Sequence, residues 1–348
     1  MSGSILFISN GYGEDTVAAH LAEAWRRREP SCDVAGFPTI GDGSFYRTRS
    51  IPLAGRGADL PSEGFVRTPR AFLRDLSSGF LRKTWKVGRD LSRSSRGYRF
   101  LVVVGDPYLL LFTALWTPHG RERRIFLGVQ QSEWYGSKKP FKQHYSGLER
   151  LWMRWWCGLA LVRDLKTLDY LASRGLDHVR CTGNPMMDCF SINEITPLPA
   201  GAPLIGVLPG SRREAYDNLP FIFDVITAFS RRRGGFIFAF ALSPHLDEDR
   251  IAALFGLERA AGSAGLPGGG EARGGAGTRG GGGTPYREFR LPGADCRIIL
   301  STSLFGDIIS RAVGVIGMSG TGNEQAAGLG KPVFASWGGG PQITEAFM

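Results

Sequence analysis

Ile5-Leu-Phe-Ile-Ser-Asn-Gly-Tyr-Gly-Glu-Asp15 sets a short apolar run, Ile5 to Ser9, before a glycine-rich turn over Asn10 to Asp15, and a helical pattern follows from about Thr16 to Arg28. Strand, tight turn and helix in that order make one α/β unit. The cadence repeats along the chain. Strand-like runs recur at Phe100 to Val104, Ile125 to Val129 and Leu159 to Val162, each bounded by turn residues or a helical stretch. Pro197-Leu-Pro-Ala-Gly-Ala-Pro203 then interrupts with the composition of a linker. A second series begins with Leu204 to Leu208, a helix from about Leu219 to Arg232, Phe236 to Leu242 and a helix from about Leu246. It ends with Arg297 to Leu300, Val313 to Ile316 and Val333 to Ala335. The pattern predicts two α/β domains, 1–196 and 204–348.

The chain has 348 residues, 43% of them hydrophobic, which is enough for packed cores and excludes overall disorder. Its Lys+Arg of 42 against Asp+Glu of 32 leaves a charge of +10, which favours an anionic partner: nucleic acid, a phosphorylated small molecule or an acidic membrane surface. Cys32, Cys157, Cys181, Cys189 and Cys296 form no Cys-x-x-Cys pair. That argues against a disulfide framework or a zinc site and makes a reduced, cytoplasmic setting the default. The N-terminus has no basic start and no cleavage pattern of an export signal. The most apolar stretch, Phe100 to Trp116, is broken by Gly105-Asp106-Pro107, so no membrane span is expected. Gly262 to Thr284 is dominated by glycine and reads as a disordered surface insert; without interleaved aromatics to stack bases it does not indicate nucleic acid. At the far end Thr344 reads as the cap of a helix only just begun, so the second domain is expected to be truncated.

Two turns carry the signal for an anion. Leu208-Pro-Gly-Ser-Arg-Arg213 ends an apolar strand shortly before a helix, where Gly210 permits close approach, Ser211 adds a hydroxyl and Arg212 or Arg213 supplies a planar cation suited to phosphate. Met318-Ser-Gly-Thr-Gly-Asn-Glu-Gln325 again follows a strand and opens a helix, so Ser319, Gly320 and Thr321 offer N–H groups and hydroxyls at its positive end. Glu324 and Gln325, one turn in, could accept from ribose hydroxyls, or serve only the helix start. The turn of Gly11, Gly13, Glu14 and Asp15 lacks the dinucleotide spacing, and its acids would repel a pyrophosphate. It suits the hydroxyls of a sugar. Asp106 stands at a strand's carboxyl end, where a carboxylate can act as general base or simply cap the helix that Pro107 begins. Asp247-Glu-Asp249 falls in the first turn of a helix and reads as dipole complement, so no metal site is expected.

Gly64 to Leu91 interleaves large apolar residues with Arg and Lys; Phe72, Leu73, Leu76, Phe80 and Leu81 recur at helical spacing. A helix of that kind either packs on a core with a basic outer face or lies on an anionic membrane. Leu148-Glu-Arg-Leu-Trp-Met-Arg-Trp-Trp156 has the same character.

Together these residues resemble the lipid-A-disaccharide synthase family of glycosyltransferases, and its synthase-related branch more than the authentic enzymes. The likeness runs through Gly11-Tyr-Gly-Glu-Asp15, the Phe-Val run leading into the Arg-rich segment at Gly64 to Leu91, Asp106-Pro107 and Gly183-Asn-Pro-Met-Met-Asp188. It continues through Leu208-Pro-Gly-Ser-Arg212, Ser319-Gly-Thr321 and Gly330-Lys-Pro332. This chain departs from the family at Tyr108, where a second acid is usual, at Gln325, where a ribose-binding glutamate is usual, and in the first glycine loop. The resemblance implies a GT-B fold, two Rossmann-like domains facing a cleft, and a metal-independent, inverting enzyme that moves a sugar, such as an acylated glucosamine, from a UDP-sugar to a lipid-linked sugar. It implies UDP at Gly210, Ser211, Arg212, Ser319, Gly320, Thr321, Glu324 and Gln325, acceptor at Gly11, Gly13, Glu14 and Asp15, Asp106 as base, and no cofactor beyond the UDP-sugar substrate. Its expected setting is the inner face of the cell membrane, held peripherally, with room for a homo-oligomer and no nucleic-acid partner. A UDP-sugar 2-epimerase shares the fold and the Gly-Lys-Pro element, and a membrane-bound sugar-nucleotide sensor without turnover is the non-enzymatic alternative.

Overall fold

The structure, a computed structural model, describes residues 3–58, 80–135, 145–210, 215–243, 246–260 and 285–336. Part of the basic amphipathic segment, the residues Ser211 and Arg212, the glycine-rich insert and the Thr344 cap lie outside the described residues. The chain divides into two compact units between Cys189 and Phe190.

In the first unit β1 (Ser4–Ser9), β2 (Asp33–Pro38), β3 (Phe100–Gly105), β4 (Arg124–Gly128), β5 (Leu159–Val162) and β6 (Val179–Cys181) form a parallel sheet in the order β2-β1-β3-β4-β5-β6. The strands read as continuous apolar runs because both faces are covered. Leu6, Ile8, Leu101 and Val103 face one core, and Ile5, Phe7, Val102 and Val104 face the other. The helices are α1 (Tyr12–Arg28), α2 (Ser44–Thr48), α3 (Phe80–Ser94), α4 (Pro107–Trp116), α5 (Gly147–Trp156) and α6 (Leu165–Ser173). Ser146 and Glu149 close a capping box at the start of α5, and Asp164 caps α6 through the Thr167 N–H.

The helix α1 begins at Tyr12, four residues earlier than its periodicity suggests, so the turn closes at Gly11 (φ +129°) and Glu14 and Asp15 belong to the first helical turn. β2 was not legible as a strand because Asp33-Val-Ala-Gly-Phe-Pro38 carries a glycine and a proline. The glycine is required by packing: a Cβ on Gly36 would enter the ring of Tyr46.

The second unit holds β7 (Leu204–Leu208), α7 (Ala215–Arg232), β8 (Phe236–Ala241), α8 (Glu248–Leu254), β9 (Glu258–Arg259), β10 (Arg287–Arg290) and β11 (Cys296–Ser301). It ends in α9 (Phe305–Arg311), β12 (Gly314–Gly317), α10 (Thr321–Gly328) and β13 (Val333–Phe334). Its sheet runs β13-β12-β7-β8-β11-β10-β9, parallel except that β10 opposes both β11 and β9. The antiparallel edge was not expected; β9 and β10 flank the glycine-rich insert and pair at Arg259–Phe289. The stretch read as a linker, Pro197 to Pro203, contributes the buried Leu198 to this unit, and residues 190–196, expected in the first domain, pack here as well: Phe190 meets Phe305 edge-on and Asn193 Nδ2 donates to Asp307 at 2.8 Å.

Candidate active site

Open parallel sheets present their ligands at the carboxyl ends of the strands. In the first unit that edge brings together residues far apart in sequence. β1 delivers Ser9 and, through the Gly11 turn, Glu14 and Asp15; β3 delivers Asp106; β4 delivers Gln130 two residues beyond its end. Gln130 Nε2 donates to Glu14 Oε1. Ser9 Oγ donates to Asp15 Oδ1 at 2.6 Å and lies 2.6 Å from the Tyr46 hydroxyl, which anchors the chain of hydrogen bonds in the core. Thr39 Oγ1 lies 2.9 Å from Asn10 Oδ1 and donates to the Ser9 carbonyl at 2.8 Å, pinning the end of β1. Gly105 (φ +156°) lies beside Glu14, whose Cγ would stand 3.7 Å from a Cβ placed there.

The electrostatics are decided by burial. Glu14 and Asp15 sit at the positive end of α1, a position worth about 0.3–1 kcal/mol to a carboxylate. Each is less than 5% exposed, and loss of hydration dominates: both carboxyls are pushed up to about 7, with Asp106 and Asp15 adding repulsion at Glu14. Asp106 caps α4, its Oδ1 accepting from the Leu109 N–H at 2.9 Å. Burial raises its pKa against the pull of the Leu109 and Tyr108 N–H groups, and Glu149 on α5 adds to the rise. Capping does not exclude chemistry, since one Oδ1 contact leaves acceptor capacity on the carboxylate. Gly11 to Asp15 and Asp106 are therefore neighbours. Nothing in the local pattern marks Glu14 and Asp15 as buried or shows that Ser9, Tyr46 and Gln130 accompany them; the rule of strand ends would have pointed to Ser9 and Gln130.

In the second unit the turns after β7 and β12 are adjacent. The Met318 N–H donates to the Leu208 carbonyl at 2.8 Å, and Gly210 (φ +113°) lies beside the Met318 carbonyl, which a Cβ would approach to 3.5 Å. Ser319 Oγ accepts from the Gly322 N–H at 3.3 Å, and Gly320 and Thr321 open α10. Asn323 Nδ2 donates to the Gly317 carbonyl at 3.0 Å, while Gln325 is buried against the unit and Glu324 is half-buried. Asp247 caps α8 through the Asp249 and Arg250 N–H groups, and Asp249 pairs with Arg287. Among the described residues no cluster of three or more His, Cys, Asp or Glu is set to hold a metal ion.

The helices α3, α4 and α5 form one outer layer of the first unit. Val87 and Leu91 of α3 are buried, whereas Trp85 is 64% exposed and meets Trp116 edge-on at 4.8 Å. Trp116 touches Phe112, one turn from Tyr108; Tyr108 meets Trp152 at 5.4 Å, and Trp152 stacks on Trp156. Leu115, Leu148 and Trp155 are exposed on the same helices. No helix among the described residues is long and apolar enough to cross a membrane.

No protein-family model and no curated protein matches this sequence. Solved structures match it in fold. A complex of MnaA from S. aureus with UDP superposes at a TM-score of 0.56 and 14% identity, over 95% of this chain and 78% of that one. The calicheamicin glycosyltransferase CalG4 gives 0.55 and 14%, over 95% and 79%. The UDP-GlcNAc 2-epimerase of Neisseria meningitidis, bound to UDP-GlcNAc, gives 0.51 and 12%, over 95% and 81%. The chain thus has the GT-B fold, two Rossmann-like α/β units, a fold in which glycosyltransferases and UDP-GlcNAc 2-epimerases both occur.

Proposed function

We propose that this chain is a UDP-sugar-dependent, inverting glycosyltransferase of the lipid-A-disaccharide synthase kind, acting without a metal on a lipid-linked sugar. The observation that carries the reading is Asp106 at the carboxyl end of β3, next to Glu14, in a unit separate from the one that carries the two anion-type turns. Asp106 takes the proton of the acceptor hydroxyl as its oxygen bonds to the anomeric carbon. The bond from that carbon to the diphosphate breaks with its electron pair going to UDP, and attack from the opposite face inverts the centre. Gly210, Ser211 and Arg212, with Ser319, Gly320 and Thr321, meet the charge on the departing diphosphate, Glu324 or Gln325 the ribose, and the Gly11 to Asp15 turn the acceptor sugar. The test is release of UDP from a panel of UDP-sugars with and without lipid extracts. Release that requires the lipid and a new glycolipid support the reading; turnover with no acceptor overturns it.

A second reading is favoured by a specific observation, the pair of additional acids beside Asp106. An epimerase must remove and return a proton, and more than one acid suits that work. Deuterium entering the sugar from solvent without any acceptor would select it. For the setting, we propose peripheral contact with an anionic leaflet through α3 to α5. Trp85, Tyr108 and Trp155 are exposed there, and α3 adds Arg82, Lys83, Lys86, Arg89 and Arg93 against a lone Asp90. Co-sedimentation with anionic but not neutral vesicles, lost in a triple change of Arg82, Lys83 and Lys86 to Glu, is the expected result; equal binding to both vesicle types refutes it.

A further inference from the structure

We propose that Glu14 is a positioning residue for Asp106: it keeps its proton at the shared strand edge, so that the pair carries a single negative charge and that charge rests on Asp106. This rests on the base role given to Asp106 above and adds the group that sets it.

The geometry makes the two carboxyls neighbours with unlike surroundings. Glu14 lies against Gly105, the residue that precedes Asp106, its Cγ within ordinary contact distance, 3.7 Å, of where a Cβ there would stand. Asp106 Oδ1 accepts the Leu109 N–H and faces the positive end of the ten-residue helix α4, both of which favour its ionised form. Glu14 is 4% exposed and held at Oε1 by the Gln130 amide. The titratable groups acting on Glu14 are Asp106 after β3 and Asp15 on its own helix; Glu149 on α5 acts on Asp106. Since all are acids, each opposes a second charge on the pair. Both carboxyls stand at helix starts and both accept hydrogen bonds, Glu14 from its own N–H and the Gln130 amide, Asp106 from the N–H groups of Leu109, Tyr108 and its own residue. Two adjacent carboxyls do not readily ionise together, and Asp106, with more backbone donors and only half-buried, gives up its proton first. The rise of Glu14 to about 7 agrees with this order. Glu14 exchanges no proton with substrate: the acceptor proton goes to Asp106, and a neutral Glu14 spares the developing negative charge on the acceptor oxygen a second carboxylate nearby.

The experiment is a carboxyl-carbon NMR titration of the whole chain, with Glu14→Gln and Asp106→Asn to assign the two signals. The expected result is a Glu14 midpoint near 7 with Asp106 titrating below it. In Asp106→Asn, which retains a capping oxygen, the Glu14 midpoint falls by about one pH unit. Gln130→Leu moves it the other way, because the amide donation that favours the carboxylate is gone. The proposal is overturned if Asp106 titrates above Glu14, or if the Glu14 midpoint is the same with and without the Asp106 charge. Neither outcome needs a substrate, so a failure to find UDP-sugar turnover would remove the proposed function and leave this assignment standing or falling by itself.

Discussion

Replacing Glu14 by Gln should stabilise the first unit at alkaline pH and do little at acid pH. Its carboxyl is raised from an ordinary 4.5 to about 7 by burial. The folded chain therefore binds that proton more tightly than the unfolded chain, and stability is fully present below about 4.5 and is lost as pH rises through about 7. A rise of that size corresponds to about 3 kcal/mol at pH 8, an upper figure because the neighbouring carboxyls of Asp15 and Asp106 relax once Glu14 no longer ionises. Gln keeps the shape, and its carbonyl can still accept from Gln130 Nε2. The assay is urea unfolding from pH 4.5 to 8.5 followed by tryptophan fluorescence. Seven of the eight tryptophans, all but Trp337, lie in the first unit, so the signal reports the unit that carries the change. The difference between variant and parent should be near zero at the acid end and grow to between about 1 and 3 kcal/mol at pH 8, with equal slopes. A difference that does not depend on pH, or a variant less stable at pH 8, would refute burial as the dominant effect.

Asp106→Asn should lower turnover by about 10²-fold or more while UDP affinity, measured by calorimetry, stays nearly unchanged, since Asn still caps α4 but takes no proton. Gly36→Ala should destabilise the first unit by about 1–3 kcal/mol, because its Cβ enters the Tyr46 ring and disturbs the Tyr46–Ser9–Asp15 hydrogen bonds. Gly97→Ala, where a Cβ meets nothing within 4 Å, is the matched control and should melt like the parent. Deleting residues 262–284 should leave the melting temperature within a few degrees, because β9 and β10 already pair as an antiparallel hairpin on either side of the insert. A drop of ten degrees or more would show that the segment packs.

Most of the sheet was legible because parallel strands covered on both faces are uninterrupted apolar runs: Phe100–Gly105, Leu159–Val162 and Leu204–Leu208 were readable to within a residue. Asp33–Pro38 was not, since its glycine answers to Tyr46 from ten residues on and its proline to the strand's end. Nor was the β9–β10 edge, whose partners are separated by the insert.

By itself the sequence determined the alternation of strand and helix, the two glycine-containing turns that follow β7 and β12 and Asp106 as a strand-end acid, all of which are local patterns a few residues long. Only the tertiary structure decided what those residues face. Glu14 and Asp15 look like solvated acids of a glycine turn until the parallel pairing of β1 with β3 sets Gly105 against Glu14 and β4 brings Gln130 to its carboxyl. The upward push on the Glu14 carboxyl follows from water excluded beside elements more than ninety residues distant in the chain, and that on Asp15 from burial beside Ser9 and Tyr46; local pattern carries no record of solvent access.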